Sequence, residues 1–95
     1  MKVQKVYTQE FPADPGYKIG VDTIPGVHVR LWICKGQELI REKTFKVGDP
    51  CQYHLGEMLP GVITKISPKS VTVQSSTNSF FDYQVTLRKF KYANG

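Results

Sequence analysis

The chain has 95 residues, enough for one domain with a single core and a thin stability margin. Hydrophobic residues make up 40% and charged residues 22%, which excludes a disordered chain, and no apolar run is long enough to span a bilayer. The net charge of +5 favours polyanions or acidic protein surfaces as partners. Its distribution sharpens this. Lys2, Lys5 and Lys18 cancel Glu10, Asp14 and Asp22, so all the excess lies in residues 29–95.

The first residues, MKVQKVYTQEF, hold no apolar stretch of the secretory kind, so a cytoplasmic location is expected. Residues 2–8 read as a short strand with Val3, Lys5 and Tyr7 on one side. Residues 9–26 read as a long irregular loop, because Pro12, Pro15, Gly16, Gly20, Pro25 and Gly26 interrupt every periodic run. Within it, Tyr17, Ile19 and Val21 can form one edge strand.

Val27 to Cys34 is the clearest strand. Val27, Val29, Leu31 and Ile33 share one face, and His28, Arg30, Trp32 and Cys34 share the other. Lys35-Gly36-Gln37 turns the chain, and residues 38–46, ELIREKTFK, return as a partner strand. A short helix is the rival for that segment, since Glu38, Leu39, Arg41, Glu42 and Lys43 are good helix formers.

Residues 45–74 alternate turn and strand. Val47-Gly48-Asp49 opens the stretch, Pro60-Gly61 breaks it, and Ser67-Pro68-Lys69-Ser70 folds it back. IPGVHVRL at 24–31 and LPGVITKI at 59–66 echo each other, with Pro-Gly ahead of a strand in both. Residues 75–79 form a polar loop. Tyr83, Val85 and Leu87 alternate with Gln84, Thr86 and Arg88, so 83–92 reads as a last half-buried strand ending in a basic and aromatic tail. The expected core is Val29, Leu31, Ile33, Ile63, Ile66, Val71, Val73, Val85 and Leu87. Ile63 and Ile66 are three apart and cannot share a face of a regular strand, so one must sit at a bend or on a second apolar surface.

The stretch VGDPCQYHLGEMLPGVITKISPKSVTV resembles the SH3-like small barrels of the Tudor and KOW kind. The matching positions are Val47, Gly48, Asp49, Tyr53, Gly61, Ile63, Lys65, Ile66, Val71 and Val73. It is also similar to small uncharacterised phage proteins with the same layout. The resemblance implies a mainly β fold: an SH3-like small barrel over 27–92, preceded by an irregular N-terminal extension over 1–26. It does not by itself imply a function. Tyr53 and Phe80 are possible members of an aromatic cage of the Tudor kind.

No nucleophile–base pair or phosphate-cradling loop is present, so a non-enzymatic protein without cofactor is expected. His28, Cys34, Cys51 and His54 were weighed as zinc ligands. On an ideal strand His28 and Cys34 stand about 20 Å apart at ~3.3 Å per residue. No metal and reduced thiols are therefore expected. The strongest functional signal is the basic and aromatic set Arg30, Trp32, Lys65, Lys69, Arg88, Lys89 and Lys91, which suits nucleic-acid binding with little sequence preference. The alternative is a protein-interaction module for an acidic surface, such as a phage-encoded inhibitor of a host protein, using an edge strand or the 9–26 loop, in which YKIGV can pair with a partner strand.

Overall fold

The computed structural model describes residues 4–78 and 80–95. The expected Lys2 and Val3 positions of the first strand, and Ser79 of the polar loop, lie outside them. Eight strands form two antiparallel four-stranded sheets, each a meander, and one short helix follows. The first sheet holds β1 (Tyr7–Phe11), β2 (Tyr17–Ile24), β3 (His28–Lys35) and β4 (Glu38–Lys46) in that order. The second holds β5 (Pro50–Leu55), β6 (Glu57–Ile66), β7 (Ser70–Ser75) and β8 (Asp82–Thr86), and α1 spans Leu87–Asn94. Among the described residues, no ladder closes the two sheets into a barrel. Among the described residues, no helix is long and apolar enough to cross a membrane.

The N-terminal third corrects the sequence reading. Residues 9–26 are not one irregular loop but most of a hairpin. Pro15 and Gly16 form its turn: Tyr17 N–H reaches Asp14 O at 3.0 Å, and Gly16 takes a φ of +86°. Pro25 and Gly26 do the same before β3, with Val27 N–H on Ile24 O at 2.9 Å and Gly26 at +76°. Proline ahead of a positive-φ glycine is the type II turn signature. These breakers separate strands rather than prevent them. YKIGV belongs to β2, which pairs with β1 on one side and β3 on the other, so it offers no free edge for strand addition.

The third Pro-Gly behaves differently. Pro60 and Gly61 lie inside β6, and the chain reverses near Gly56 instead. Pro60 needs no ladder donor there, because β7 ends at Ser75 and Ser76 already donates to Pro60 O at 3.1 Å. Gly61 serves close packing: a Cβ there would stand 2.4 Å from Val73 Cγ1 and 2.9 Å from Gln74 O.

The two sheets meet at β6. After β4, Lys46 to Asp49 turns through Gly48, and Gly48 N–H bonds Ile63 O at 2.8 Å. Ile63 N–H returns to Asp49 O at 3.1 Å. The register against β7 then shifts between Ile63 and Lys65, a bulge at Thr64. The extra residue lets Ile63 and Ile66 both face the core, at 1% and 2% exposure, which decides between a bend and a second apolar surface in favour of the bend. One hydrophobic cluster joins Val21, Val29, Leu31 and Phe45 of the first sheet to Tyr53, Ile63, Ile66, Val71, Val73 and Val85 of the second. Ile33, expected in the core, is only half-buried.

The last expected strand ends at Thr86, where the period changes from two to three. The Thr86 hydroxyl accepts from Lys89 N–H and caps the helix, and Leu87 and Phe90 turn into the core. Phe90, read as part of an exposed tail, is fully buried and meets Phe45 edge-on at 5.2 Å. Asn94 completes that face of α1. Its carboxamide accepts from Gln52 N–H at 2.7 Å and donates to Gln52 O at 2.8 Å, completing a strand-like pairing at the edge of β5.

Two predictions follow from these contacts. Asn94→Ala should cost about 1–2 kcal/mol, since it removes the two hydrogen bonds to Gln52 at an exposed edge and a third to Phe90 O, and should speed hydrogen exchange at the Gln52 amide. Thr23 is fully buried with its hydroxyl unpartnered among the described residues. Thr23→Val should therefore stabilise the fold by about 1 kcal/mol, read as a melting temperature raised by roughly 4–8 °C.

Candidate nucleic-acid interface

Of the expected site residues, Arg30 and Trp32 belong to β3, Lys65 to β6, Lys69 to the turn before β7, and Arg88, Lys89 and Lys91 to α1. Arg30 and Trp32 lie on the face opposite the core. Their cross-strand neighbours are Asp22 and Gly20 on β2, and Thr44 and Glu42 on β4. Gly20 leaves room for the indole: a Cβ there would stand 2.3 Å from Trp32 Cζ2. Trp32 Nε1 donates to Asp22 Oδ1 at 3.1 Å, and the Thr8 hydroxyl donates to the same oxygen at 2.9 Å. Arg30 donates to Asp22 at 2.8 Å and to Glu42 at 3.0 Å. Glu42 first, then Asp22, favours the charged guanidinium, while partial burial opposes them. Two carboxylates against one guanidinium leave nothing cationic at this point for a polyanion. Trp32 is half-buried and has one ring face covered by Gly20.

The opposite face carries the unpaired charge. In register, Tyr7, Thr23, Val29 and Phe45 form one row across the four strands, and Gln9, Val21, Leu31 and Lys43 form the next. The third row is Phe11, Ile19, Ile33 and Arg41. Helix α1 packs Phe90 against Phe45 in the first row. The third row is left as the floor of an open trough of two adjoining hollows. One, of about 370 Å³, is lined by Phe11, Ile19, Ile33, Arg88, Lys91 and Tyr92, with Pro12 and Gly95. The other, of about 380 Å³, shares Ile19 and Ile33 and adds Asp14, Tyr17, Ile40 and Arg41.

Arg41, Lys43 and Lys91 also line one narrow gap beside Leu31 and Asn94. Among the described residues, no carboxylate lies within 4.0 Å of Arg41, Lys43, Arg88 or Lys91. Burial, and then the charge of Arg41, push the Lys91 ammonium below its ordinary pKa. Lys43 Nζ is 5.1 Å from the centre of the Phe45 ring. Arg41 and Lys43 were missed by the sequence reading. The signal was present, because residues 41, 43 and 45 share a strand face and Phe45 marks that face as inward.

A third cavity, of about 490 Å³, lies at the other end of α1 and is lined by Tyr7, Thr8, Gln9, Pro68, Lys69, Thr86, Leu87 and Arg88. The structure thus brings Lys69 to Arg88, and Arg88 to Lys91. Lys65 and Lys89 are exposed and line none of these hollows.

The other candidates separate. Tyr53 is buried and stacks on Tyr83 at 5.0 Å, so it offers no free cage wall, whereas Phe80 is 94% exposed. Burial pushes the Cys51 thiol up to about 11, while His54 is exposed, with its ring 6.2 Å from Tyr92. Among the described residues, no group of three or more His, Cys, Asp or Glu side chains gathers to hold a metal ion. No protein-family model, curated protein or solved structure matches this chain.

The Gly20 contact is directly testable. Gly20→Ala should displace the single tryptophan and break its bond to Asp22, moving Trp32 emission to longer wavelength and lowering the melting temperature.

Proposed function

We propose that this protein is a non-enzymatic basic module that binds nucleic acid with little sequence preference through the helix side of its first sheet. The observation that carries this reading is the group Arg41, Arg88 and Lys91 around one trough, with Lys43 in the narrow gap beside Arg41 and Lys91, and no carboxylate in ion-pair range of the four among the described residues. Holding like charges together costs free energy that a bound polyanion recovers. Lys69 extends the group past Arg88, and Lys65 and Lys89 add to the general field. Arg30 and Trp32 have a smaller part in this reading, since their polar groups are engaged with Asp22 and Glu42. The SH3-like architecture remains our reading of the fold. It is supported by a β6 strand that bends at Thr64 and bonds the Gly48-Asp49 turn.

One observation favours a second reading, an acidic protein partner. Strand β4 is an outer strand of its sheet, nine residues long, with Leu39 and Ile40 exposed beside Arg41. Such an edge can accept a partner strand, although the displaced register at Ile40 blunts it.

The deciding measurement is a titration of a labelled single-stranded oligonucleotide at several salt concentrations. The wild type should lose affinity linearly in log salt. Combining Arg41→Ala, Arg88→Ala and Lys91→Ala should flatten the slope by about 2, at ~0.7 per lost phosphate contact, with the fold retained. No saturable binding at moderate salt, together with stoichiometric co-purification of an acidic protein after nuclease treatment, would replace this reading with the second.

A further inference from the structure

The trough has a property that charge alone does not explain: its cations stand at the rim and its floor is apolar. Phe11, Ile19 and Ile33 are cross-strand neighbours that form a continuous half-buried strip, and Arg41 ends the row on β4. Arg88 and Lys91 border the strip from α1, and Tyr92, 74% exposed, stands beside them. A duplex presents phosphates and sugars outward and keeps its base faces stacked inside. It can meet the rim but leaves the floor uncovered. An unpaired nucleotide offers both a phosphate for the rim and a planar apolar face for the floor.

We infer that the trough selects single-stranded over duplex nucleic acid, by taking an unstacked base onto the Phe11–Ile19–Ile33 floor while Arg41, Arg88 and Lys91 hold the flanking phosphates. The inference rests on the nucleic-acid reading above and adds the strandedness of the ligand. Two further observations support it. Arg88 lines both this trough and the cavity that contains Lys69, so the backbone of a strand leaving the trough finds its next cation at the other end of the helix. Tyr92 supplies a second exposed ring at the trough mouth, and base–aromatic stacking is tolerant of base identity. That accounts for weak sequence preference without hydrogen-bond readout. The apolar floor also separates this ligand from a simple polyanion, which would gain nothing from it.

The test compares three labelled probes of equal length by fluorescence anisotropy: an oligothymidine strand, an abasic strand with the same phosphates, and the oligothymidine annealed to its complement. The oligothymidine should bind about tenfold more tightly than either of the others, the size expected for one stacked base. Tyr92→Ala, at an exposed position that leaves the core intact, should weaken the oligothymidine and leave the abasic strand unchanged. If the abasic strand and the duplex bind as tightly as the oligothymidine, base insertion is wrong and the charge-based reading stands without it. If none of the three binds, the nucleic-acid reading itself falls, and this inference with it.

Discussion

The exchange of backbone hydrogen bonds between Ile63 and the Gly48-Asp49 turn is the constraint on which the rest of this molecule depends. Three residues, 47–49, connect the two sheets covalently. Without a second tie the sheets would be free to hinge, and the single cluster that joins them would not form. Gly48 N–H on Ile63 O and Ile63 N–H on Asp49 O make that tie, and Asp49 Oδ2 braces the turn by accepting from Lys46 N–H. The bulge at Thr64 follows immediately. It adds one residue to β6, so the isoleucines on either side both reach the core. At the far end of β6, Ile66 O accepts from Gly26 N–H, which docks the β2–β3 turn onto the second sheet. The molecule is a slab of 42 × 41 × 17 Å, so these few contacts carry much of the cohesion between its halves.

The helix is the second dependency, and it links packing to charge. Phe90 enters the core against Phe45 and fixes α1 over the inner face of the first sheet. Asn94, one further turn along, replaces a missing neighbour strand at Gln52. With those two points held, Lys91 has no choice of surroundings. It lies over the sheet beside Arg41, where burial and a like charge both oppose its protonation. The cationic cluster is therefore a consequence of where an apolar helix face docks. The sheet's two faces show the contrast. On the outer face Arg30 is bracketed by Asp22 and Glu42, whereas on the inner face Arg41, Arg88 and Lys91 line a trough that Asp14 also lines, and none of the three has a carboxylate within 4.0 Å among the described residues.

Among the described residues, no group of three or more His, Cys, Asp or Glu side chains gathers that could hold a metal ion. What the trough offers is shape and charge: an apolar strip, a cationic rim and two exposed tyrosines, Tyr17 and Tyr92. A reading by rim charge and stacking gives affinity that depends on salt and strandedness rather than on base identity.

Local pattern in the sequence determined much of the β structure. Alternation marked β3, the punctuation at Gly36 and Ser67-Pro68 marked hairpin turns, and the three-residue spacing of Ile63 and Ile66 left a bend or a second apolar surface, of which the fold uses the bend, as a bulge. These features are legible because they depend on residues adjacent along the chain. Where one local signal has two physical solutions, the sequence misled. Pro-Gly is a type II turn at 25–26 and a packing site inside a strand at 60–61, and only the presence of Val73 and Tyr53 over Gly61 decides between them. The prolines and glycines of 9–26 looked like disorder of pattern, but two of the pairs are turns bounding paired strands. Thr86 ended an alternation that Leu87 continued on paper, because its hydroxyl caps a helix whose burial depends on Phe45. The candidate site lay furthest beyond the sequence. Which cations are neutralised and which are left bare is set by cross-strand register and helix docking: Asp22 lies eight residues from the Arg30 it pairs with, and Arg41 fifty from the Lys91 it faces. Such neighbours are chosen by the tertiary fold, since charges separated along the chain interact only once packing brings them together.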